Sequence, residues 1–196
     1  MASSSEVTEW LARASLLQFA SLALQPPSAH LIGEMRALVP SLPEETAAQA
    51  STLLAMPLEE WEPEFFSVLG PAGCPSSESS YERAAQASRG PLLARVAAFY
   101  DAFGYAPERL REVPDHIANE LGFLSFIAMK VAFAMFESKR DEATVAADAY
   151  ETFRSRHLSV WLADFVETLA GTGSPHFGAV AALVRDVVRL TDRTSA

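Results

Sequence analysis

Apolar side chains recur every three or four residues along nearly the whole chain, which is the period of a helix with one buried face. The clearest case is the segment 91–103, whose apolar residues lie four, three and four positions apart: Leu92, Val96, Phe99 and Phe103. No stretch of useful length alternates between apolar and polar positions, as a half-buried strand does. The pattern therefore predicts an all-α helical bundle.

Prolines, glycines and capping residues divide this pattern into separate helices. Ser28 is a favoured N-cap residue, and Ser41 with Pro43 repeats a start of the same kind. Gly104 is well placed to end the helix that begins near Pro91. These signals predict helices at about 7–24, 28–38, 43–56, 57–69, 91–103, 114–138, 142–170 and from 175 onward, with a short turn at 107–110.

Two segments depart from the one-faced pattern. Between 121 and 136 the chain is apolar nearly all round, which is typical of a central, buried helix. The segment 70–80 is rich in Gly, Pro and Ser and is the clearest loop in the sequence. We therefore expect one all-helical domain spanning 1–196, with a loop at about 70–80 between the N-terminal helices and the C-terminal core.

The charge of the chain limits its partners. Twenty-five acidic residues against 15 basic ones give a net charge of −10, and no run of Lys or Arg occurs. Nucleic acids and anionic lipids are bound by clustered basic residues. We therefore expect no nucleic-acid partner, and an acidic surface that favours a basic one.

The sequence also predicts a cytoplasmic location. The single cysteine, Cys74, excludes an internal disulfide and a cysteine-based zinc site. No positive charge precedes an apolar stretch near Met1, as it does in a secretory signal. The apolar, charge-free stretch 121–129 is too short to cross a bilayer, so we expect no stable membrane insertion.

Signatures of enzymes do not occur in the sequence. There is no glycine-rich phosphate loop, no G-x-S-x-G elbow and no H-E-x-x-H motif. The four histidines are scattered, and a pair such as His116 and Glu120 supplies too few ligands for a metal. We therefore predict no catalytic residues, no metal site and no cofactor, and a protein that binds another polypeptide.

The start of the 114–138 helix carries an unusual polar group. Pro114 suits a first helical turn, and Asp115 complements the positive end of the helix dipole. Ordinary capping explains both residues but not His116, which is unfavourable at that end when it is protonated. His116 with Asp115 and Glu120 forms a polar cluster at the mouth of an apolar helix, where a cationic or amide-rich peptide could bind. A purely structural cap is the alternative.

These residues resemble the central motif of the redox-enzyme maturation chaperones of the TorD, DmsD and NarJ group. In that group an aromatic-x-x-[FL]-G stretch precedes P-D-H-[IL]-x-x-E-L-x-F-[ML]. The corresponding segments here are Tyr100-Asp-Ala-Phe-Gly104 and Pro114-Asp-His-Ile-Ala-Asn-Glu-Leu-Gly-Phe-Leu124. Three further stretches agree with the group in the same order: the loop from Gly70-Pro71 through Pro75 to Tyr81, His157-Leu-Ser-Val-Trp161, and Pro175-His-Phe177. The resemblance therefore covers roughly 10–190.

The resemblance implies an all-helical chaperone with a protein partner. Members of the group bind the twin-arginine signal peptide, or an equivalent N-terminal segment, of the catalytic subunit of a molybdenum-cofactor enzyme. They assist cofactor insertion, folding and export or assembly, so the machinery that delivers the molybdenum cofactor is a further possible partner.

A peptide of this kind needs carboxylates for its arginines and an apolar wall beyond them. The resemblance assigns the carboxylates to Asp115 and Glu120, and the wall to Phe103, Leu121 and Phe123. The complete expected signal-peptide site is Tyr81, Tyr100, Phe103, Gly104, Pro114, Asp115, His116, Glu120, Leu121 and Phe123, with the loop residues Gly70, Pro71, Pro75, Glu78 and Ser79.

Two other functions and the oligomeric state stay open at this stage. The chain is alternatively a general helical adaptor, or a nucleotide-hydrolysing enzyme that lacks a recognisable phosphate loop. A monomer and a domain-swapped dimer are both compatible with a helical chain that contains a long loop.

Overall fold

A computed structural model describes residues 3–82, 89–107, 110 and 113–192, with side chains up to 187. Within these residues the structure is helical, and the only strand-like pairing is a single antiparallel bridge between Ser77 and His116. The helices are α1 (Ser4–Ala23), α2 (Ala29–Leu38), α3 (Glu44–Leu53), α4 (Leu58–Leu69), α5 (Arg89–Phe103), α6 (Ile117–Phe136), α7 (Arg140–Phe153), α8 (Ser159–Ala170) and α9 (Pro175–Asp192). The all-α prediction is therefore confirmed.

The central helix is α6, as the sequence predicted. It packs mainly against α1 and α7, and 14 of its 20 residues are buried. Two serine hydroxyls tie it to α1: Ser21 donates to the carbonyl of Ala118 at 2.6 Å, and Ser125 donates to the carbonyl of Ala14 at 2.8 Å. By length and composition α6 is a candidate membrane span, but 78% of that window is buried inside the protein. Its apolar character is therefore explained by its central position in the core.

Some helix ends follow the capping signals of the sequence. The side chain of Ser28 accepts a hydrogen bond from the amide of Leu31, so the predicted cap of α2 is confirmed. A capping box between Ser3 and Glu6 starts α1 a few residues before the predicted position. Ser41 was wrongly expected to start α3, because it lies in a short 3₁₀ turn and α3 begins at Glu44. The turn expected at 107–110 lies partly outside the described residues.

Two boundaries in the C-terminal half differ from the sequence prediction in ways that matter for function. The helix expected at 114–138 begins at Ile117, with His116 as its N-cap residue. The single helix expected at 142–170 is divided by a five-residue π-helical turn, Arg154–Leu158, into α7 and α8. Apolar positions continue on both sides of this turn, so periodicity alone does not reveal it.

Candidate functional site

The loop that follows α4 is fixed to the start of α6 by backbone hydrogen bonds. The amide of Ile117 donates to the carbonyl of Ser76 at 2.8 Å, and the amide of Glu78 donates to the carbonyl of Asp115 at 2.9 Å. These bonds form the isolated bridge between Ser77 and His116. The two segments in which the sequence placed the binding site are therefore adjacent in space.

The carboxyl group of Asp115 faces this loop. Its side chain is fully buried, and Oδ2 accepts a hydrogen bond from the amide of Ser79 at 3.0 Å. Its other oxygen, Oδ1, has no hydrogen-bond partner among the described residues. Asp115 therefore acts on the loop, and does not form the carboxylate at an open helix mouth that the sequence suggested.

His116 caps α6 as a neutral imidazole. Its Nδ1 accepts a hydrogen bond from the amide of Ala118 at 3.2 Å, which requires an unprotonated nitrogen. Burial lowers the pKa of His116 to about 4, and the nearby Asp115 carboxylate opposes this shift only in part. This geometry accounts for a histidine at a positive helix end, which the sequence left unexplained.

A second set of contacts joins the loop to the π-helical turn, and α6 to α8. Nδ1 of His157 lies 3.0 Å from Oε2 of Glu78, and the indole N–H of Trp161 donates to Oε2 of Glu120 at 3.2 Å. All four of these side chains are buried. We call Glu78, Asp115, Glu120, His157 and Trp161 the polar hub.

Glu120 is the most perturbed group of the polar hub. Its burial, and then the nearby carboxyl group of Glu78, raise the pKa of Glu120 well above its usual range. These surroundings favour the neutral carboxylic acid, and Oε1 of Glu120 has no hydrogen-bond partner among the described residues. A neutral, buried group of this kind does not attract an arginine at the surface.

Aromatic residues of the expected site form the core beneath the loop. Tyr100, Leu121 and Phe123 are buried, and the Tyr100 hydroxyl donates to the carbonyl of Pro114 at 2.8 Å. The Tyr100 and Phe123 rings pack with their centroids 4.9 Å apart. The expectation that Leu121 and Phe123 line an open peptide groove is therefore not met in this conformation.

Other residues of the expected site keep some exposed surface. The hydroxyl of Tyr81 donates to the carbonyl of Pro75 at 2.9 Å, and its ring packs on Trp161 with the centroids 5.2 Å apart. Gly104 ends α5 as predicted, with a φ of +69° that favours glycine. The partly or fully exposed members of the expected site are Gly70, Pro71, Pro75, Ser79, Tyr81, Phe103, Gly104, Pro114 and His116.

The structure also reveals an apolar cleft that the sequence did not indicate. It lies between α6 and α7 and has a volume of about 470 Å³. Two large apolar side chains that line it are well exposed, Phe133 at 59% and Val145 at 60%. We call it the acidic cleft, because three carboxylates stand among its lining residues: Phe103, Lys130, Phe133, Ala134, Glu137, Asp141, Glu142, Val145 and Ala146.

A second apolar cleft lies on the other side of Phe103, between α5 and the π-helical turn. Its volume is about 440 Å³. We call it the basic cleft, because two arginines are among its lining residues: Arg95, Ala98, Phe99, Ala102, Phe103, Arg156 and His157. Phe103 lines both clefts and is the one residue that they share with the site expected from the sequence.

A third cleft, of about 530 Å³, lies between α1, α6 and the segment that follows α5. The residues described around it carry no charged side chain; Gln18, Gln25 and Ser125 are among them. Among the described residues, no group of three or more His, Cys, Asp or Glu side chains is arranged to hold a metal ion.

Comparison with known proteins supports the resemblance read from the sequence. The family model described as nitrate reductase delta subunit matches residues 30–167. The chlorate reductase assembly chaperone protein of Ideonella dechloratans is 31% identical over 121 residues, which are 60% of this chain and 62% of that protein. The selenate reductase assembly chaperone protein of Thauera selenatis is 29% identical over 125 residues, 62% of this chain and 64% of that protein.

The matches cover less than two thirds of these two relatives, and both relatives are named for assembly rather than catalysis. A crystal structure from Archaeoglobus fulgidus, assigned to redox enzyme maturation, aligns with a TM-score of 0.64 at 20% identity. The alignment covers 90% of this chain and 93% of that one, so the whole helical fold is shared. Because the family model spans well over half of its residues, this chain belongs to the nitrate reductase delta subunit family, the group of NarJ and TorD.

Proposed function

We propose that this protein is a cytoplasmic, non-catalytic assembly chaperone for a molybdenum-cofactor reductase. It binds the N-terminal segment of the catalytic subunit, including a twin-arginine signal peptide where the client has one, while the cofactor is inserted and the subunit folds. Membership of the family and the names of the two relatives support the general role. The acidic cleft is the single observation that supports the more specific role, which is binding of the N-terminal segment.

The acidic cleft has the shape and chemistry that such a segment requires. Exposed large apolar side chains that form a contiguous surface usually mark an interaction site. Phe133 and Val145 form such a surface on neighbouring helices, and Phe136, which is 76% exposed, extends the apolar face of α6. An amphipathic helix that lies in an apolar groove is a common mode of peptide recognition.

Charge complementarity favours a cationic occupant. Glu137, Asp141 and Glu142 line one side of the acidic cleft. Lys139 lies 2.8 Å from the Glu137 carboxylate and 3.7 Å from that of Glu142, whereas the described residues place no cation against Asp141. Arginine binds carboxylates through a planar pair of donors, so Asp141 is the preferred contact. The net charge of −10 adds long-range attraction that salt weakens.

In this proposal most residues of the site expected from the sequence stabilise the fold and do not contact the peptide. The polar hub holds the loop and the start of α6 in place, and Tyr100 and Phe123 form the core below them. Among the residues of the expected site, Phe103 is the one that contacts the peptide in the acidic cleft. It also packs against the core, with its ring centroid 6.3 Å from that of Phe123. A change in the polar hub therefore alters peptide binding only through the fold.

The test is a binding titration followed by fluorescence anisotropy. The probe is a labelled synthetic peptide with two adjacent arginines followed by a leucine- and alanine-rich stretch. The substitution Phe133→Asp should weaken its binding by about tenfold or more, because it places a charge against the apolar part of the peptide. Phe66→Asp is the matched control, since Phe66 is 54% exposed on α4 and lines neither cleft.

The contribution of charge is tested with a second pair of variants. Asp141→Asn/Glu142→Gln should weaken binding about fivefold, more at low salt than at high salt. Glu62→Gln/Glu167→Gln removes two exposed carboxylates away from the cleft and should leave the affinity nearly unchanged. Equal losses in the two pairs would mean that only net charge matters, and would exclude the acidic cleft as the arginine site.

A further inference from the structure

The basic cleft is lined by two arginines, although the chain as a whole is acidic. Arg95 lies on α5 and Arg156 on the π-helical turn, and both side chains are exposed. Neither forms an ion pair with a described residue, although acidic residues outnumber basic ones by 25 to 15. Arg154, in contrast, lies two residues from Arg156 and is paired with Glu151 at 2.9 Å.

The floor of the basic cleft is apolar but contains one buried polar group. Phe99, Phe103 and two alanines supply the apolar part. His157 is 3% exposed and also lines the cleft. Its Nδ1 is held by Glu78 at 3.0 Å, whereas no described residue forms a hydrogen bond with Nε2. A ligand in the basic cleft can therefore meet two guanidinium groups and two aromatic rings, with the buried His157 beside them.

The π-helical turn is the local feature that combines these groups. Here the consecutive residues Arg156 and His157 both line the basic cleft. π-helical turns occur within longer helices and frequently mark functional sites.

We propose that the basic cleft binds an acidic side chain, Asp or Glu, of the same client segment whose arginines lie in the acidic cleft. This proposal rests on the proposed function and specifies the partner further. Arginine guanidinium groups match the geometry of carboxylates, and an apolar floor suits the residues that flank the acid. The segment is therefore dipolar: cationic at its N-terminal end, apolar where it crosses Phe103, and acidic beyond.

Continuity between the two clefts supports one occupant for both. Phe103 lines each of them, so a peptide that packs on this ring from the acidic cleft is directed toward Arg95 and Arg156. Opposite charges at the two ends also fix the direction of the peptide, because a reversed peptide would place like charges together. The basic cleft thus selects among segments that all carry an arginine pair and an apolar stretch.

The experiment compares two synthetic peptides that differ only in the tail. Both carry two adjacent arginines and the same leucine- and alanine-rich stretch, and they end in Glu-Glu or Gln-Gln. The unmodified protein should bind the Glu-tailed peptide about fivefold more tightly, as expected for two solvent-exposed ion pairs. Arg95→Gln/Arg156→Gln should remove this preference.

The matched control is Arg36→Gln/Arg185→Gln, which removes two exposed arginines from α2 and α9. It should keep the preference for the Glu-tailed peptide. Equal affinity of the unmodified protein for the two peptides would overturn the dipolar segment while leaving the acidic cleft intact, provided that Phe133→Asp still weakens binding. Failure of both peptides to bind would overturn the proposed function and this inference together.

Discussion

The polar hub and the acidic cleft both invert the usual distribution of residues between the core and the surface. The hub buries three carboxyl groups and a histidine, which are rarely buried without partners. The cleft exposes phenylalanine and valine, which are usually buried. Both regions depart from the distribution of buried and exposed residues that favours stability most, but in different ways. The hub has to be satisfied within the protein, whereas the cleft can be covered only by another molecule.

This difference separates the residues that maintain the fold from those that meet a partner. The hub links the loop, α6 and the π-helical turn through contacts between distant parts of the chain, such as Glu78 with His157. Loss of one member leaves the other buried without its partner. The exposed residues of the acidic cleft have few such contacts within the protein. Substitutions in the hub should therefore change the free energy of unfolding, and those in the cleft should change binding.

The largest effect is expected for Glu78→Ala. This substitution leaves the buried His157 without its carboxylate partner, and the free energy of unfolding should fall by about 3 kcal/mol. Urea unfolding followed by circular dichroism measures it. Glu62→Ala removes an exposed glutamate from α4 and should change stability by less than about 0.5 kcal/mol. A loss at Glu78 no larger than that of the control would mean that the contact between Glu78 and His157 contributes nothing to stability.

A smaller effect is expected for Glu120→Gln, and it depends on pH. Because the pKa of Glu120 is raised above its unfolded value of 4.5, its contribution is fully present below that pH and is lost as the pH rises through the folded pKa. Glutamine keeps an oxygen for the Trp161 indole and cannot ionise. As the pH rises from about 5 toward neutrality the variant should therefore gain stability relative to the unmodified protein, as measured by urea unfolding. A stability difference that stays constant over this range would show that Glu120 is ionised in the folded state.

His116→Asn should change the pH dependence in the opposite direction. The pKa of His116 is lowered from 6.5 to about 4, so its contribution is present above pH 6.5 and is lost as the pH falls toward 4. Asparagine is a good N-cap residue that does not titrate, so it should preserve the start of α6. The unmodified protein should lose about 1 kcal/mol more than the variant over this range, because the ring is partly exposed. Parallel stability curves for the two proteins would contradict a neutral histidine cap.

The sequence predicted the helices and the loop of both regions better than it predicted which of their side chains are exposed. Periodicity identified α6 as the central helix, and Ser28 and Gly104 marked the helix ends that the structure has. The P-D-H motif identified residues that do come together with the loop. One sequence, however, cannot show whether a polar residue near a helix start faces solvent or another segment. Asp115 therefore looked like a surface carboxylate, although a loop 36 residues earlier in the chain covers it.

The clefts and the π-helical turn escaped prediction for a related physical reason. An apolar residue on a strongly apolar helix is usually assigned to the core, and α6 has more apolar surface than its neighbours cover. The H-L-x-x-W stretch was recognised as a motif, but only the fold shows that His157, within the turn, and Trp161, after it, both reach inward. Side-chain direction there depends on the local widening of the helix, which apolar spacing does not encode.

The smallest change in stability is expected for Phe136→Ser. This substitution gives the clearest contrast with the loss of stability expected in the hub. Phe136 is 76% exposed on the apolar face of α6, so its removal should alter the free energy of unfolding by less than about 0.5 kcal/mol. The same substitution should lower the fluorescence of a dye that binds exposed apolar surface, because that surface becomes smaller. Val160→Ser, at a 62% exposed position on α8 that lines neither cleft, is the control for dye binding. A loss of stability as large as that of Glu78→Ala would mean that Phe136 is part of the core, and the apolar face of α6 would then not be free for a partner.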